Sequence, residues 1–75
     1  MTAYRLGYLE ASRTLTGRMV RFTSDCELFR NFDVTGRVLR VYVNGTETVF
    51  DLKVRGHARA ITVGSNMRNL MYDVL

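Results

Sequence analysis

The spacing of apolar residues changes at residue 17. Before it, Tyr4, Tyr8, Ala11 and Leu15 recur at helical intervals and fall on one stripe. The spacing predicts a helix over about residues 3–15, with Thr2 placed to cap its start and Thr16-Gly17 ending it. Gly7 falls inside that span and costs roughly 1 kcal/mol relative to alanine, so the helix needs docking to persist. After residue 17 the period is two. "RMVRFTS" puts Val20 and Phe22 on one face and Arg21 and Thr23 on the other, a first strand. A turn is expected near Ser24-Asp25, and "DCELFRNFD" then has no clean period. "VTGRVLRVYV" is rich in β-branched residues and predicts a second strand that bends at Gly36. Asn44-Gly45 is the strongest turn signal in the chain. "TETVFDLKVRG" predicts a third strand, with Phe50, Leu52 and Val54 inward and Val49, Asp51, Lys53 and Arg55 outward. "HARAITVGS" predicts a fourth, with Ile61 and Val63 on one face. After a turn at Ser65-Asn66, "NLMYDVL" predicts the last.

About five short strands separated by tight turns are too few for two packed sheets. The predicted class is mostly β: an N-terminal helix followed by a strongly bent, five-stranded antiparallel small barrel of the SH3 type. The whole of residues 1–75 is expected to form one domain, with the barrel over about residues 17–75. A chain of 75 residues builds a thin core. Cys26 is the single cysteine, so no intrachain disulfide forms, and it reads as a small buried hydrophobe. His57 is the single histidine, so no metal ligand set is expected. Self-assembly is the remaining stabiliser.

The net charge of +4 rests on eleven basic residues, all but Lys53 arginine. Arginine forks match phosphate and stack on bases, so an anionic partner is favoured. Catalytic chemistry finds no constellation: Cys26 and His57 carry no local nucleophile–base signature, and Asp25, Glu27 and Asp33 read as solvated carboxylates. No enzyme activity, cofactor or metal is expected. Asn44-Gly45-Thr46 matches a glycosylation acceptor, but in a hairpin expected to be intracellular the match is accidental. No apolar stretch reaches the ~18 residues of a membrane helix, and no membrane partner is expected. The first residues lack the basic start and apolar core of a signal peptide. With the lone cysteine, this gives the expectation of an intracellular, cytoplasmic protein.

The chain resembles the Sm and Sm-like (LSm) family from Leu15 to Leu75. "LTGRMVRF" is similar to the family's opening, and "VTGRVLRVYV" to its glycine-centred bent second strand, with Gly36 as the glycine and Val38 and Val41 as apolar positions. "VFDLKV" resembles the third strand, and "ITVGSNMRNLMYDVL" the second Sm motif. The first Sm motif usually carries an aspartate and a methionine-asparagine pair after the second strand; here Tyr42 and Asn44 stand near those places. The second motif usually has arginine before its glycine; here Val63 precedes Gly64.

The resemblance implies a homo-oligomeric ring of about five to seven subunits, closed by head-to-tail pairing of the last strand with a neighbour's fourth. The interface would then comprise Ala60, Ile61, Val63, Leu70, Met71, Tyr72, Val74 and Leu75. It also implies that the turns after the second and fourth strands line a pore that binds RNA. Stacking and base-edge recognition would fall to Tyr42, Asn44, Ser65, Asn66 and Arg68, with phosphate contacts from His57 and Arg59. Two alternatives differ in class. One is a small protein–protein interaction regulator, of phage or mobile-element type, with no nucleic-acid ligand. The other is a purely structural oligomer.

Overall fold

Helix gives way to sheet at Gly17. The computed structural model describes residues 7–25 and 32–75. Helix α1 covers Tyr8–Leu15, and Gly17 follows it at φ 83°, the left-handed position that ends many helices. The Gly17 N–H donates to the Val38 carbonyl at 2.8 Å, and the Val38 N–H to the Arg18 carbonyl at 2.9 Å. The chain therefore enters the sheet within two residues of leaving the helix.

Five strands follow: β1 (Met19–Ser24), β2 (Phe32–Asn44), β3 (Glu47–Lys53), β4 (Ile61–Gly64) and β5 (Met71–Val74). They form one antiparallel sheet in the order β4-β3-β2-β1-β5. The mostly-β class, the element order and the N-terminal helix agree with the pattern of the sequence. One helix boundary does not. Gly7 is the N-cap, extended at φ −67° and ψ 157°, and the helix begins at Tyr8 rather than near residue 3. Glycine is among the favoured N-cap residues, and here it caps without a side-chain hydrogen bond. Thr2, Tyr4, Cys26 and Glu27 lie outside the described residues.

One face of the sheet holds the core. Val20 and Phe22 of β1, Val38 and Val41 of β2, Phe50 and Leu52 of β3, Val63 of β4 and Tyr72 of β5 are buried there, with Ala11 and Leu15 of α1 packed against them. The Phe22 and Phe50 rings tilt against each other at a centroid distance of 5.0 Å. Strict alternation cannot bury both Val38 and Val41, which are three residues apart. The register shift between Val38 and Arg40 resolves this: Val38 opposes Leu52, Arg40 opposes Asp51, and Leu39 is the extra residue of a bulge.

Gly36 stands where β2 crosses the end of β3. A Cβ there would lie 2.8 Å from the Lys53 carbonyl oxygen and 3.2 Å from the Leu52 Cβ. The backbone must move to admit even a methyl group. Gly36→Ala is expected to destabilise the fold by about 1–3 kcal/mol, the usual cost of overpacking. Urea denaturation checks this; an unchanged midpoint would contradict the close approach.

Gly45 and Thr46 form the two-residue β2–β3 turn between the paired Asn44 and Glu47. Gly45 supplies the positive φ (65°) that hairpin turns of this length require.

Val49 corrects a second expectation. It lies on the outer face, as alternation predicts, but is only 3% exposed. Tyr42 flanks it on β2 and Gly64 on β4. The Glu47 side chain folds into the space that a Cβ at Gly64 would occupy.

Candidate nucleic-acid interface

The strand register sorts the outer face of β2, β3 and β4 into rows. Asn44 faces Glu47; Tyr42, Val49 and Gly64 form the next row; Arg40, Asp51 and Thr62 the next; Arg37 and Lys53 the last. The middle rows are tied together. Arg40 Nε donates to Asp51 Oδ2 at 2.6 Å, and Thr62 Oγ1 donates to Asp51 Oδ1 at 3.0 Å. The Asp51 carboxylate holds the Arg40 guanidinium pKa above its ordinary value, first through that hydrogen bond and then through charge. Arg40 also lies over the Tyr42 ring, 4.6 Å from its centroid. Tyr42 thus sits half-buried in a fixed pose, gripped by a cation that is itself anchored by a carboxylate. A held aromatic ring with an adjacent guanidinium is the type of surface on which bases stack.

The pattern of the sequence names seven binding candidates, and the structure divides them. Tyr42 and Asn44 end β2, and Ser65 and Asn66 begin the loop after β4. The two segments flank the same end of β3: Thr48 pairs with Val43 of β2 on one side, and its carbonyl accepts from the Ser65 N–H at 2.8 Å on the other. Ser65 is buried, and its hydroxyl accepts from the Thr48 N–H at 2.9 Å, so this side chain holds the loop to β3. Asn66 is exposed. Arg68 lies further along the loop, where its carbonyl accepts from the Asp25 N–H and the Ser24 hydroxyl. The loop therefore spans from the β2–β3 hairpin to the end of β1. His57 and Arg59 lie in the β3–β4 connection, at the opposite end of β3 from the Gly45-Thr46 turn. They do not join the other five.

The assembly candidates divide as well. Val63, Leu70 and Tyr72 are buried in the subunit's own core, at 0%, 1% and 7% exposure. Their side chains have no exposure left to lose, which corrects their assignment to an interface through side-chain contact. β5 follows the inward parity of β1: Tyr72 opposes Phe22. Ala60, Met71, Val74 and Leu75 are exposed and Ile61 is half-buried.

The backbone of both edge strands is also oriented. The Leu75 N–H donates to the Met19 carbonyl. Hydrogen-bonded and non-bonded pairs alternate in an antiparallel ladder. The N–H and C=O groups of Tyr72 and Val74 consequently point away from β1. The same count from the Ser65–Thr48 bond points those of Thr62 and Gly64 away from β3.

A shallow cleft of about 310 Å³ opens elsewhere, beside Arg21, Asp25, Asp33, Asn69 and Met71. Its polar groups satisfy one another. Arg21 binds Asp33 through two bonds of 3.0 and 2.6 Å, and Asn69 Nδ2 donates to Asp25 at 3.0 Å. The Arg21 hydrogen bond lowers the Asp33 pKa below the ordinary carboxylate range. Among the described residues no cluster of histidine, cysteine and carboxylate groups is arranged to hold a metal ion.

Sequence reasoning missed Arg40, Asp51 and Thr62. The available signal was the alternation of Asp51 with the buried Phe50 and Leu52, which puts it on the outer face. Its partner was hidden because the bulge at Leu39 reverses the parity of Arg40.

The chain matches no family model, none of the curated proteins and none of the solved structures with which it was compared.

Proposed function

We propose that the chain is the subunit of an Sm-like homo-oligomeric ring that binds single-stranded RNA inside the cell. The observation that carries this reading is the pair of sheet edges that no further strand covers among the described residues. β4 and β5 are the two ends of the sheet order, each four residues long, and no proline blunts either. Outward-pointing backbone groups at Thr62 and Gly64 on one edge complement those at Val74 on the other. An uncovered edge is an aggregation hazard. Joining β5 of one subunit to β4 of the next satisfies both edges, and a rotation that closes makes a ring. The exposed apolar side chains of Met71, Val74 and Leu75 would then gain cover.

RNA is favoured over an uncharged ligand by the net charge of +4 and by the Arg40–Tyr42 stack. Asn44, two residues along β2 from Tyr42 on the same face, and Asn66, exposed in the loop after β4, offer amides to base edges. The test is fluorescence anisotropy with labelled oligo(U) and oligo(A) at rising salt. Wild-type affinity is expected to fall as salt rises. Tyr42→Ala is expected to weaken binding by about 5- to 150-fold, the effect of losing one stacking contact worth ~1–3 kcal/mol. Tyr42→Phe, which keeps the ring, is expected to bind nearly as wild type. Absence of RNA binding at low salt would overturn the reading.

A further inference from the structure

We infer that Arg37 and Lys53, with Arg55 close by in the chain, form a second anion site that takes the phosphodiester backbone of a single-stranded nucleic acid. This rests on the RNA-binding reading above and adds a location that the resemblance does not supply.

The outer face treats its cations in two ways. Arg40 stands directly opposite Asp51 and is ion-paired to it, and Arg21 is ion-paired to Asp33. Arg37 and Lys53 stand directly opposite each other. Like charges at opposed positions repel and destabilise a sheet. Neither forms an ion pair among the described residues. Each is instead held by a backbone carbonyl: Arg37 Nη1 donates to Gly17 O at 2.7 Å, and Lys53 Nζ to His57 O at 3.2 Å. Those carbonyls fix the two side chains without neutralising them. Each uses one donor and leaves others directed to solvent.

The surroundings add charge of the same sign. Met19 flanks Arg37 on the β1 side and brings no opposing charge. Arg55 lies two residues beyond Lys53 and is exposed. The acidic residues of this sheet stand elsewhere: Asp33 and Asp51 are paired with arginines, Asp73 stands opposite Arg21, and Glu47 lies at the far end of β3. A fixed pair of like charges with spare donors is stabilised by an anion that bridges them. A phosphate accepts from both an arginine fork and an ammonium.

The site also lies in line with the aromatic platform. From Arg37–Lys53 the outer face runs through Arg40–Asp51 to Tyr42–Val49 and Asn44–Glu47, along β3. Six residues of strand span roughly 20 Å. One strand of nucleic acid lying along this face meets cations at one end and a stacking ring toward the other. That arrangement favours a single-stranded polyanion over a compact acidic peptide, which has no base for the ring.

The test is the double variant Arg37→Gln/Lys53→Gln, measured by anisotropy with labelled oligo(U) against salt, with poly-glutamate as competitor. Removing two opposed like charges is expected to leave the melting temperature unchanged or raised. The slope of log affinity against log salt is expected to become shallower by about 1.4, roughly 0.7 for each lost phosphate contact. Lys53→Glu is expected to weaken binding further than Lys53→Gln. Wild-type affinity with an unchanged slope in the double variant, while Tyr42→Ala still weakens binding, would overturn this site and leave the RNA reading intact. Poly-glutamate competing as well as RNA per unit charge would overturn the nucleic-acid assignment. A wild-type protein that binds no RNA would overturn both.

Discussion

Replacing Phe50 with alanine is expected to lower the melting temperature by roughly 10 °C or more. Phe50 is fully buried at the centre of β3, packed against Phe22 from β1 at 5.0 Å between ring centroids. It is paired across the backbone with Val41 on one side and Val63 on the other. These residues tie together three strands of the sheet. Phe→Ala changes in cores cost about 3–5 kcal/mol, because the lost transfer energy is joined by a cavity that neighbours fill only partly. Stabilities run at roughly 0.05–0.15 kcal/mol per residue, so a 75-residue domain has about 4–11 kcal/mol in all. The substitution therefore removes about a quarter of the total or more. A midpoint lowered by roughly 10 °C or more in a circular-dichroism melt is the expected result. A variant that melts within a few degrees of wild type would contradict the assignment of Phe50 to the centre of the core.

Val74→Pro is expected to abolish assembly while leaving the subunit folded. The Leu75 N–H is bonded to Met19, so the Val74 N–H, one residue earlier in an alternating ladder, faces the free edge. Proline removes only that donor. It is tolerated on edge strands where the N–H faces outward. The Val74 side chain is 42% exposed, so little of the core depends on it. In a ring, each subunit loses a hydrogen bond to its neighbour and gains a pyrrolidine ring in the seam. Light scattering should report the mass of a single subunit, 8.6 kDa, with the far-ultraviolet spectrum retained. Val74→Ala keeps the N–H and is expected to assemble. A Val74→Pro protein that still assembles would refute the edge contact.

The elements that the sequence makes legible are those in which a single face decides burial. β1 shows this: Val20 and Phe22 alternate cleanly with Arg21 and Thr23, and the structure keeps that division. The β2–β3 turn is legible because Gly45 meets its need for a positive φ, although the turn falls on Gly45-Thr46, one residue after the Asn44-Gly45 signal. Three features are not legible, each for a physical reason. The bulge at Leu39 cannot be read from alternation, because it exists to break alternation; Val38 and Val41 betray it only through their odd spacing. The burial of Val49 depends on the row it shares with Tyr42 and Gly64, which is set by pairing and not by its neighbours in the chain. The inward turn of Leu70 and Tyr72 follows from the register of β5 on β1. A short terminal strand of mostly apolar residues does not reveal which face is inner.

The candidate site follows the same division. Tyr42, Asn44 and Asn66 are found by their residue types and by the turns they flank. The Arg37–Lys53 opposition is visible only once β2 is laid against β3. In the sequence the two residues are separated by a hairpin, and each reads as an ordinary solvated cation.

The most direct test of the account is the mass of the wild-type protein in solution at micromolar concentration, by size exclusion coupled to light scattering. A ring of five to seven subunits of 8.6 kDa gives about 43–60 kDa, independent of dilution over a tenfold range if the closed seam is stable. A single species of 8.6 kDa would contradict the ring and, with it, the function proposed for the two open edges.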